Sequence, residues 1–159
     1  MEQEHRVHRQ TTERVEEYLG ELFENPVRGE EDGHFYVRFG STVLEIGVEP
    51  YGPEEAIVTL MAYCVQGVEA DENLLLALLE LNHRLPLGAF SLVGTDIFFS
   101  YALFGRELEP RQLLRAVSAV TEVSDEYDDR IVAKYGGQTA LDRIRDTGGR
   151  RRRQQRSSV

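Results

Sequence analysis

The first periodic segment of the chain has the hydrophobic spacing of an α-helix. Its apolar residues follow the i, i+3, i+4, i+7, i+8 pattern of a single helical face, and they are Val15, Tyr18, Leu19, Leu22 and Phe23. Thr11 or Thr12 can cap the first amides of this helix. The Asn25-Pro26 pair ends it, because the residue before a proline avoids the helical conformation. Residues 1–10 are polar without a sustained period, so they are predicted to form a disordered arm.

Strand patterns follow the first helix. Residues 34–39, 42–49 and 55–64 are rich in β-branched and aromatic side chains. The first two segments are separated by the two-residue hairpin turn Gly40-Ser41, and the next two by a short segment that contains two prolines. Connections this short join antiparallel neighbours, because a parallel crossover needs about a dozen residues or more.

A second helix and two further strands occupy the middle of the chain. Asp71 is a suitable N-cap for the helix and Pro86 prevents its continuation. Residues 87–93 and 97–103 have strand composition and flank a connection of hairpin length. The apolar residues of this helix are Leu74, Leu75, Leu78 and Leu79, and Leu85 is a further candidate at its end.

A long third helix is predicted from the Glu109-Pro110 pair to the Gly136-Gly137 pair. Proline suits the first turn of a helix, where its missing amide hydrogen is not needed, and glycine supplies a left-handed stop. At about 1.5 Å per residue the helix would be about 40 Å long, enough to cross a whole sheet. A short amphipathic segment follows it over residues 139–146.

The order of these elements predicts the fold class. A helix, three strands, a helix, two strands and a helix follow one another, and strand runs joined by hairpins are typical of an α+β layer. We therefore predict a single α+β domain over residues 11–146, with a five-stranded antiparallel sheet and flanking helices. Residues 147–159 are rich in Gly, Arg, Gln and Ser and are predicted to form a disordered Arg-rich tail.

Charge is distributed unevenly along the chain. All 28 acidic residues lie at or before Asp146, whereas 5 of the 18 basic residues lie after Gly149. Residues 1–149 thus carry 28 acidic and 13 basic side chains, a formal charge of −15 that repels nucleic acids and anionic membranes. The single cysteine excludes an intramolecular disulfide, and the polar N-terminus lacks the apolar run needed for secretion or membrane insertion. These features predict a soluble cytoplasmic protein.

The residue types that carry catalysis do not converge in this sequence. None of the four histidines pairs with a cysteine or a carboxylate at ligand spacing. The densest acidic cluster spreads around a helix and is interpreted as a solvated face, with a divalent-ion enzyme as its alternative; it comprises Asp125, Glu126, Asp128 and Asp129. Cys64 lacks an evident activating base, and no phosphate-binding glycine motif is present. We predict no catalytic residue, no metal ligand and no cofactor.

One side of the predicted sheet is unusually aromatic. In the second strand Leu44, Ile46 and Val48 alternate with residues that point the other way, which marks a half-buried strand. The side chains that point away from the aliphatic face, or are ambiguous relative to it, form a candidate peptide-binding surface of Tyr36, Val43, Met61, Tyr63, Phe99 and Tyr101. In the competing interpretation these residues pack under the helices while the other set faces solvent.

The chain resembles bacterial YbjN-domain proteins, of the group similar to type III secretion chaperones. The resemblance covers residues 15–149, about 85% of the chain. It rests on the segments VEEYL (15–19), FYVRFGS (35–41), EPYGP (49–53), LELNHRLP (79–86) and YGG (135–137). The fold of such proteins has the same element order as the one predicted above, and the segment 82–86 resembles the family's turn from the second helix into the fourth strand.

The resemblance implies a non-enzymatic homodimer that binds an extended segment of a client protein. Such a client would pair with a free strand edge through main-chain hydrogen bonds, while aromatic side chains hold its apolar residues. The alternative is a nucleic-acid-associated regulator, for which the only support is the run Arg150, Arg151, Arg152 and Arg153. No aromatic residues accompany that run, and the rest of the chain has the wrong charge for nucleic acid.

Overall fold

The computed structural model describes residues 2–40, 42–140 and 142. This part of the chain contains the helices α1 (Glu2–Leu22), α2 (Glu72–Arg84) and α3 (Pro110–Tyr135). Its strands are β1 (Val27–Arg28), β2 (Phe35–Phe39), β3 (Thr42–Pro50), β4 (Ala56–Gln66), β5 (Ala89–Val93), β6 (Asp96–Phe104) and β7 (Gln138–Thr139). The Arg-rich run at 150–153 and the predicted tail over 147–159 lie outside the described residues.

The strands form one sheet in which every pairing is antiparallel. Its order is β1-β2-β3-β4-β6-β5, and β7 pairs with the end of β4. The α+β class and the five longer strands confirm the sequence prediction. The predicted count of five strands is corrected to seven for the described residues, because β1 and β7 have two residues each. Strands this short cannot show the alternation on which a prediction from sequence depends.

At three element boundaries the local sequence signal acts at the position predicted for it. Phe39 pairs with Thr42, which closes the two-residue hairpin between β2 and β3. The Asp71 carboxylate accepts a hydrogen bond from the Leu74 amide at 2.8 Å and so caps α2. Gly136 follows α3 with a φ of 81°, a conformation that favours glycine and ends the helix.

The first helix is longer than predicted. It begins at Glu2, so the prediction of a disordered arm over residues 1–10 is corrected, with residues 2–10 forming part of α1. Val7 and Thr11 are buried and extend the core-facing stripe by two turns. His8 Nε2 also donates a hydrogen bond to the Val48 carbonyl oxygen at 2.8 Å. One valine among charged side chains gives no periodic signal, so this extension was not visible in the sequence.

All three helices pack on the same face of the sheet. Helix α1 contacts β3, α2 contacts β5, and α3 crosses β2, β3, β4 and β6. Leu19, Leu74 and Leu113, one from each helix, are buried in a single core together with alternate residues of β4, namely Ala56, Val58, Leu60, Ala62 and Cys64. The other face of the sheet has no described helix over it. None of the described helices combines the length and apolar character needed to cross a membrane.

Candidate functional site

The helix-free side of the sheet, termed the open face below, carries apolar side chains along its three central strands. They alternate with the buried residues of the core and are Val43 on β3, Ile57, Met61 and Tyr63 on β4, and Phe98 and Phe104 on β6. The strand register pairs Tyr63 with Phe98 and Ile57 with Phe104. These two pairs lie about 20 Å apart along β4, since a strand rises roughly 3.3 Å per residue.

The Tyr63–Phe98 pair forms one end of this apolar band. The two rings meet edge to face, with centroids 4.5 Å apart and an interplanar angle of 68°. The Tyr63 hydroxyl donates a hydrogen bond to the Asp96 carboxylate, which also accepts the Gly67 amide at 3.1 Å. These contacts hold the tyrosine ring in one orientation while part of it stays exposed to solvent.

The opposite end of the band is more exposed. Phe104 is 66% exposed and Tyr51, in the turn between β3 and β4, is 60% exposed. Their ring centroids lie 6.2 Å apart at an interplanar angle of 61°. Two neighbouring aromatic side chains that both face water form a strong candidate contact for an apolar group of a partner.

The structure brings four of the six predicted binding residues to the open face. Tyr36, Val43, Met61 and Tyr63 point away from the helices, as predicted. The register continues this row from Tyr36 through Glu45 to Met61. The surface is therefore mixed, with a carboxylate between two of its apolar side chains.

The other two predicted residues lie on the helix-covered face. Phe99 is 1% exposed and packs against Phe90 with ring centroids 4.9 Å apart, and Tyr101 packs against the same core. Both alternating sets of β6 contain aromatic residues, so their order in the sequence does not tell which set faces inward. The open-face aromatics of this strand are Phe98 and Phe104 instead.

The β5 edge of the sheet is occupied by a side chain of α2. Asn82 accepts a hydrogen bond from the Phe90 amide at 2.7 Å through Oδ1 and donates one to the Phe90 carbonyl at 3.0 Å through Nδ2. A strand added at this edge would need the same Phe90 amide and carbonyl for its own main-chain hydrogen bonds. Asn82 therefore blocks strand addition at the middle of β5.

The β3 strand extends beyond its pairing with β2, and this overhang is also protected. The pairing ends at Phe35 and Ile46, so residues 47–50 have β4 as their only described strand partner. The Val48 carbonyl in this overhang is engaged by His8, and Pro50 has no amide hydrogen to donate. On β2, residues 37–39 lie beyond the pairing with β1, so β3 is their only described strand partner.

A second exposed apolar surface lies on α2. Leu75, Leu76 and Leu79 are 43%, 51% and 66% exposed, and Leu79 lies four and three residues after the other two, so it is next to both on the helix surface. Leu74 and Leu78, on the other side of the helix, are buried in the core. We refer to Leu75, Leu76 and Leu79 as the α2 leucine patch.

The single cysteine is a buried, protonated thiol. Cys64 is 1% exposed and its Sγ lies 3.3 Å from the Ser124 hydroxyl oxygen. Burial is the main cause that raises the pKa of the thiol to about 12. The thiol is therefore protonated at neutral pH, in agreement with its interpretation as a small buried hydrophobic residue.

The acidic cluster of α3 is divided between a structural contact and a solvated surface. Asp125 accepts a hydrogen bond from the Thr42 hydroxyl at 2.7 Å, which attaches the β2–β3 hairpin to α3. Burial, together with the neighbouring aspartates, raises the pKa of Asp128 to about 6. Glu126 and Asp129 are exposed, as expected for a solvated face.

One histidine lies close to carboxylates, which the spacing of residues in the sequence did not indicate. His34 Nδ1 donates a hydrogen bond to Glu45 Oε1 at 2.6 Å, and Tyr36 donates one to Asp32 at 2.6 Å. The prediction that no histidine pairs with a carboxylate is thus corrected. Glu45 reaches His34 across the β2–β3 pairing, and such neighbours follow no fixed spacing along the chain.

The fold is that of type III secretion chaperones. A structure of the ExsC–ExsE complex matches 77% of this chain and 93% of that chain with a TM-score of 0.58 and 13% identity. A structure of the HopA1–SchA chaperone–effector complex matches 71% and 88%, with a TM-score of 0.55 and 13% identity. The Yersinia pestis type III secretion chaperone SycH, in complex with a stable fragment of YscM2, matches 73% and 98%, with a TM-score of 0.50 and 19% identity.

The family assignment comes from the sequence itself. Residues 9–143 match the model of TY-Chap1, described as T3SS (YopN, CesT) and YbjN peptide-binding chaperone 1. The chain belongs to this family of peptide-binding chaperones, which confirms the resemblance seen in its sequence motifs. No curated protein sequence matches the chain.

Proposed function

We propose that this protein is a non-enzymatic, chaperone-like module that binds an extended segment of a client protein on its open face. The supporting observation is the apolar band between the Tyr63–Phe98 and Ile57–Phe104 pairs, because a sheet face that contacts only water is normally polar. The family consists of peptide-binding chaperones, and one structure of similar fold is a chaperone–effector complex. The single cysteine fits a further part of the proposal, that the protein acts in the cytoplasm.

The spacing of the open face suits an extended peptide. Side chains on one side of a strand recur about every 6.6 Å, and this is also the spacing of Ile57, Thr59, Met61 and Tyr63 along β4. A client segment lying along these residues would contact them through alternate side chains. We expect the client segment to have apolar residues at alternate positions, which match the open face. It should carry no net negative charge, because the protein is acidic.

Main-chain pairing would be confined to β2. Asn82 occupies the middle of the β5 edge, and His8 with Pro50 protects the β3 overhang. Residues 37–39 of β2 remain for a client strand, beside Tyr36 of the open face. The proposal therefore assigns most of the client contact to side chains of the face and only a short part to an edge.

The proposal includes a homodimer formed through the α2 leucine patch. Two copies related by a two-fold axis can bury the same surface against itself, which is the commonest arrangement of soluble homo-oligomers. Leu79 is 66% exposed, so its burial against a second copy would contribute about 1–2 kcal/mol per subunit. The patch lies on α2 rather than on the open face, so dimerisation and client binding would use separate surfaces.

Site-specific crosslinking in the native cell tests the client surface directly. The photoreactive amino acid p-benzoylphenylalanine replaces Met61 on the open face in one strain and Glu122, an exposed residue of α3, in another. We expect mass spectrometry to find client proteins crosslinked at position 61 and not at position 122. Equal crosslinking at both positions, or none at position 61, would contradict the open-face assignment.

A matched pair of substitutions separates client binding from dimerisation. Phe104 and Leu79 are both 66% exposed, one on the open face and one on α2, so replacing either by serine should leave the fold intact. We expect Phe104→Ser to reduce client crosslinking at position 61 while the solution mass stays that of a dimer. Leu79→Ser should lower the solution mass to that of a monomer. If Leu79→Ser leaves a dimer, the α2 leucine patch is not the dimer interface.

A further inference from the structure

Three potential metal ligands converge near the edge of the open face, and a fourth carboxylate lies on the far side of the imidazole. His34 Nδ1 lies 2.6 Å from Glu45 Oε1, and His34 Nε2 lies 3.7 Å from Glu49 Oε1. Asp32 joins them, since one ligand atom each from Asp32, His34 and Glu45 all lie within 4.8 Å of one another. A nitrogen and several carboxylate oxygens therefore converge from the β1–β2 connection and from β3.

A glycine in β3 provides the space for the histidine ring. A Cβ atom at Gly47 would lie 3.3 Å from His34 Nε2 and 3.5 Å from two ring carbons, so the imidazole lies directly over the glycine backbone. Glycine inside a strand lowers its stability, and it commonly marks a close approach of another group. The ring is placed between Glu45 and Glu49, the two residues that flank Gly47 on the same side of the strand.

Hydrogen bonds orient the remaining carboxylate. Asp32 Oδ2 accepts a hydrogen bond from the Tyr36 hydroxyl at 2.6 Å, and Asp32 Oδ1 accepts the His34 amide at 2.9 Å. The first of these bonds is the main cause that lowers the pKa of Asp32. Outer contacts of this kind are what hold the ligands of a metal ion in place.

The local charge favours a cation. Three carboxylates lie around a single imidazole, so the cluster has an excess of negative charge in either protonation state of His34. The side chains of His34 and Glu45 are 29% and 30% exposed. An ion from solution can therefore reach them, although they are partly shielded from water. Imidazole with carboxylate suits zinc and the neighbouring divalent transition metals better than calcium or magnesium, which prefer oxygen alone.

We propose that Asp32, His34 and Glu45 form a binding site for a divalent transition-metal ion such as Zn²⁺ or Co²⁺, with Glu49 on the far side of the imidazole facing its other nitrogen. The ion replaces the hydrogen bond between His34 and Glu45 and brings these side chains to ligand distance. Because the ligands belong to the β1–β2 connection and to β3, the ion links two parts of the chain. This inference does not depend on the proposed client binding.

Metal titration of the full-length protein tests the site. Zn²⁺ is titrated into metal-free protein by calorimetry, and Co²⁺ is added separately because its visible absorption reports inner-sphere nitrogen and oxygen ligands. We expect one ion per chain, and a loss of affinity of at least about 10-fold in both His34→Gln and Glu45→Gln. His5→Gln and His83→Gln serve as matched controls and should bind as the unchanged protein does.

A third variant tests the geometry without removing a ligand. Gly47→Ala places a methyl group against the imidazole and should weaken Zn²⁺ binding and alter the Co²⁺ spectrum, while circular dichroism shows an intact fold. Absence of binding by the unchanged protein at about 100 μM Zn²⁺ would overturn the proposal. So would affinity that persists in His34→Gln and Glu45→Gln but is lost in His5→Gln, because the ion would then lie on α1.

Discussion

Replacing Asp128 by asparagine is expected to stabilise the protein at neutral pH. Asp128 is partly buried in α3, and burial is the first cause of its raised pKa, followed by repulsion from Asp129, Asp125 and Asp142. The pKa rises from 3.8 to about 6. The folded state therefore binds the proton more tightly than the unfolded chain does, and the ionised carboxylate reduces the free energy of unfolding.

The size of the effect follows from this difference in pKa. A difference of about two corresponds to about 3 kcal/mol, at about 1.4 kcal/mol per pKa unit. Asp128 remains partly exposed, and solvent screening reduces the figure to about 1 kcal/mol. The cost is complete above the folded pKa of about 6 and is lost as the pH falls from 6 to below 3.8, where both states are protonated.

Urea unfolding, followed by circular dichroism at several pH values, measures this effect. Asp128→Asn should raise the free energy of unfolding by about 1 kcal/mol at about pH 7.5 and by almost nothing at about pH 4. Asp129→Asn is the matched control, because that carboxylate is exposed and its removal should change stability by less than half as much. A gain that is the same at both pH values, or a loss at pH 7.5, would refute an origin in charge.

Three other substitutions or labels test the packing that supports the open face. Gly88→Ala should destabilise the protein by about 3 kcal/mol in urea unfolding, because Gly88 has a φ of 71° and a Cβ there would lie 2.6 Å from both the Phe99 ring and the Ser100 carbonyl. Asn82→Ala should cost about 2 kcal/mol by the same measurement, since both hydrogen bonds to Phe90 are lost; an unchanged midpoint would show that this contact is dispensable. Native Cys64 should react with a thiol reagent only after unfolding, and rapid labelling of the folded protein would contradict its burial.

The order of elements was predictable because each boundary has a local cause. The Asp71 cap, the proline after Glu109 and the glycine at 136 act within one helical turn, and the two-residue connection between Phe39 and Thr42 sets the register of β2 against β3. The short strands β1 and β7 were not predictable, because pairing with β2 and β4 rather than any local pattern defines them.

The candidate site was predicted only in part, and the errors have a physical origin. Alternation assigns Phe98 and Phe99 to opposite faces, yet it does not say which face is covered by helices. Contact with Phe90 decides that Phe99 is inside, and this contact joins residues of two paired strands. The contact between His34 and Glu45 could not be predicted for the same reason, because it depends on the register of β2 against β3.

A sheet can bind a partner through main-chain hydrogen bonds at an edge or through side chains on a face, and the protected and exposed groups of this protein favour the second. Asn82 engages the middle of the β5 edge, and His8 engages the carbonyl of Val48 in the β3 overhang, so indiscriminate strand addition is opposed at both places. The face between these edges instead keeps Phe104 largely exposed. A protein whose edges were open and whose face was polar would be prone to edge-to-edge aggregation, whereas this arrangement favours recognition by side chains. Selectivity for a client would then come from the order of its apolar residues, because main-chain hydrogen bonds are the same for every sequence.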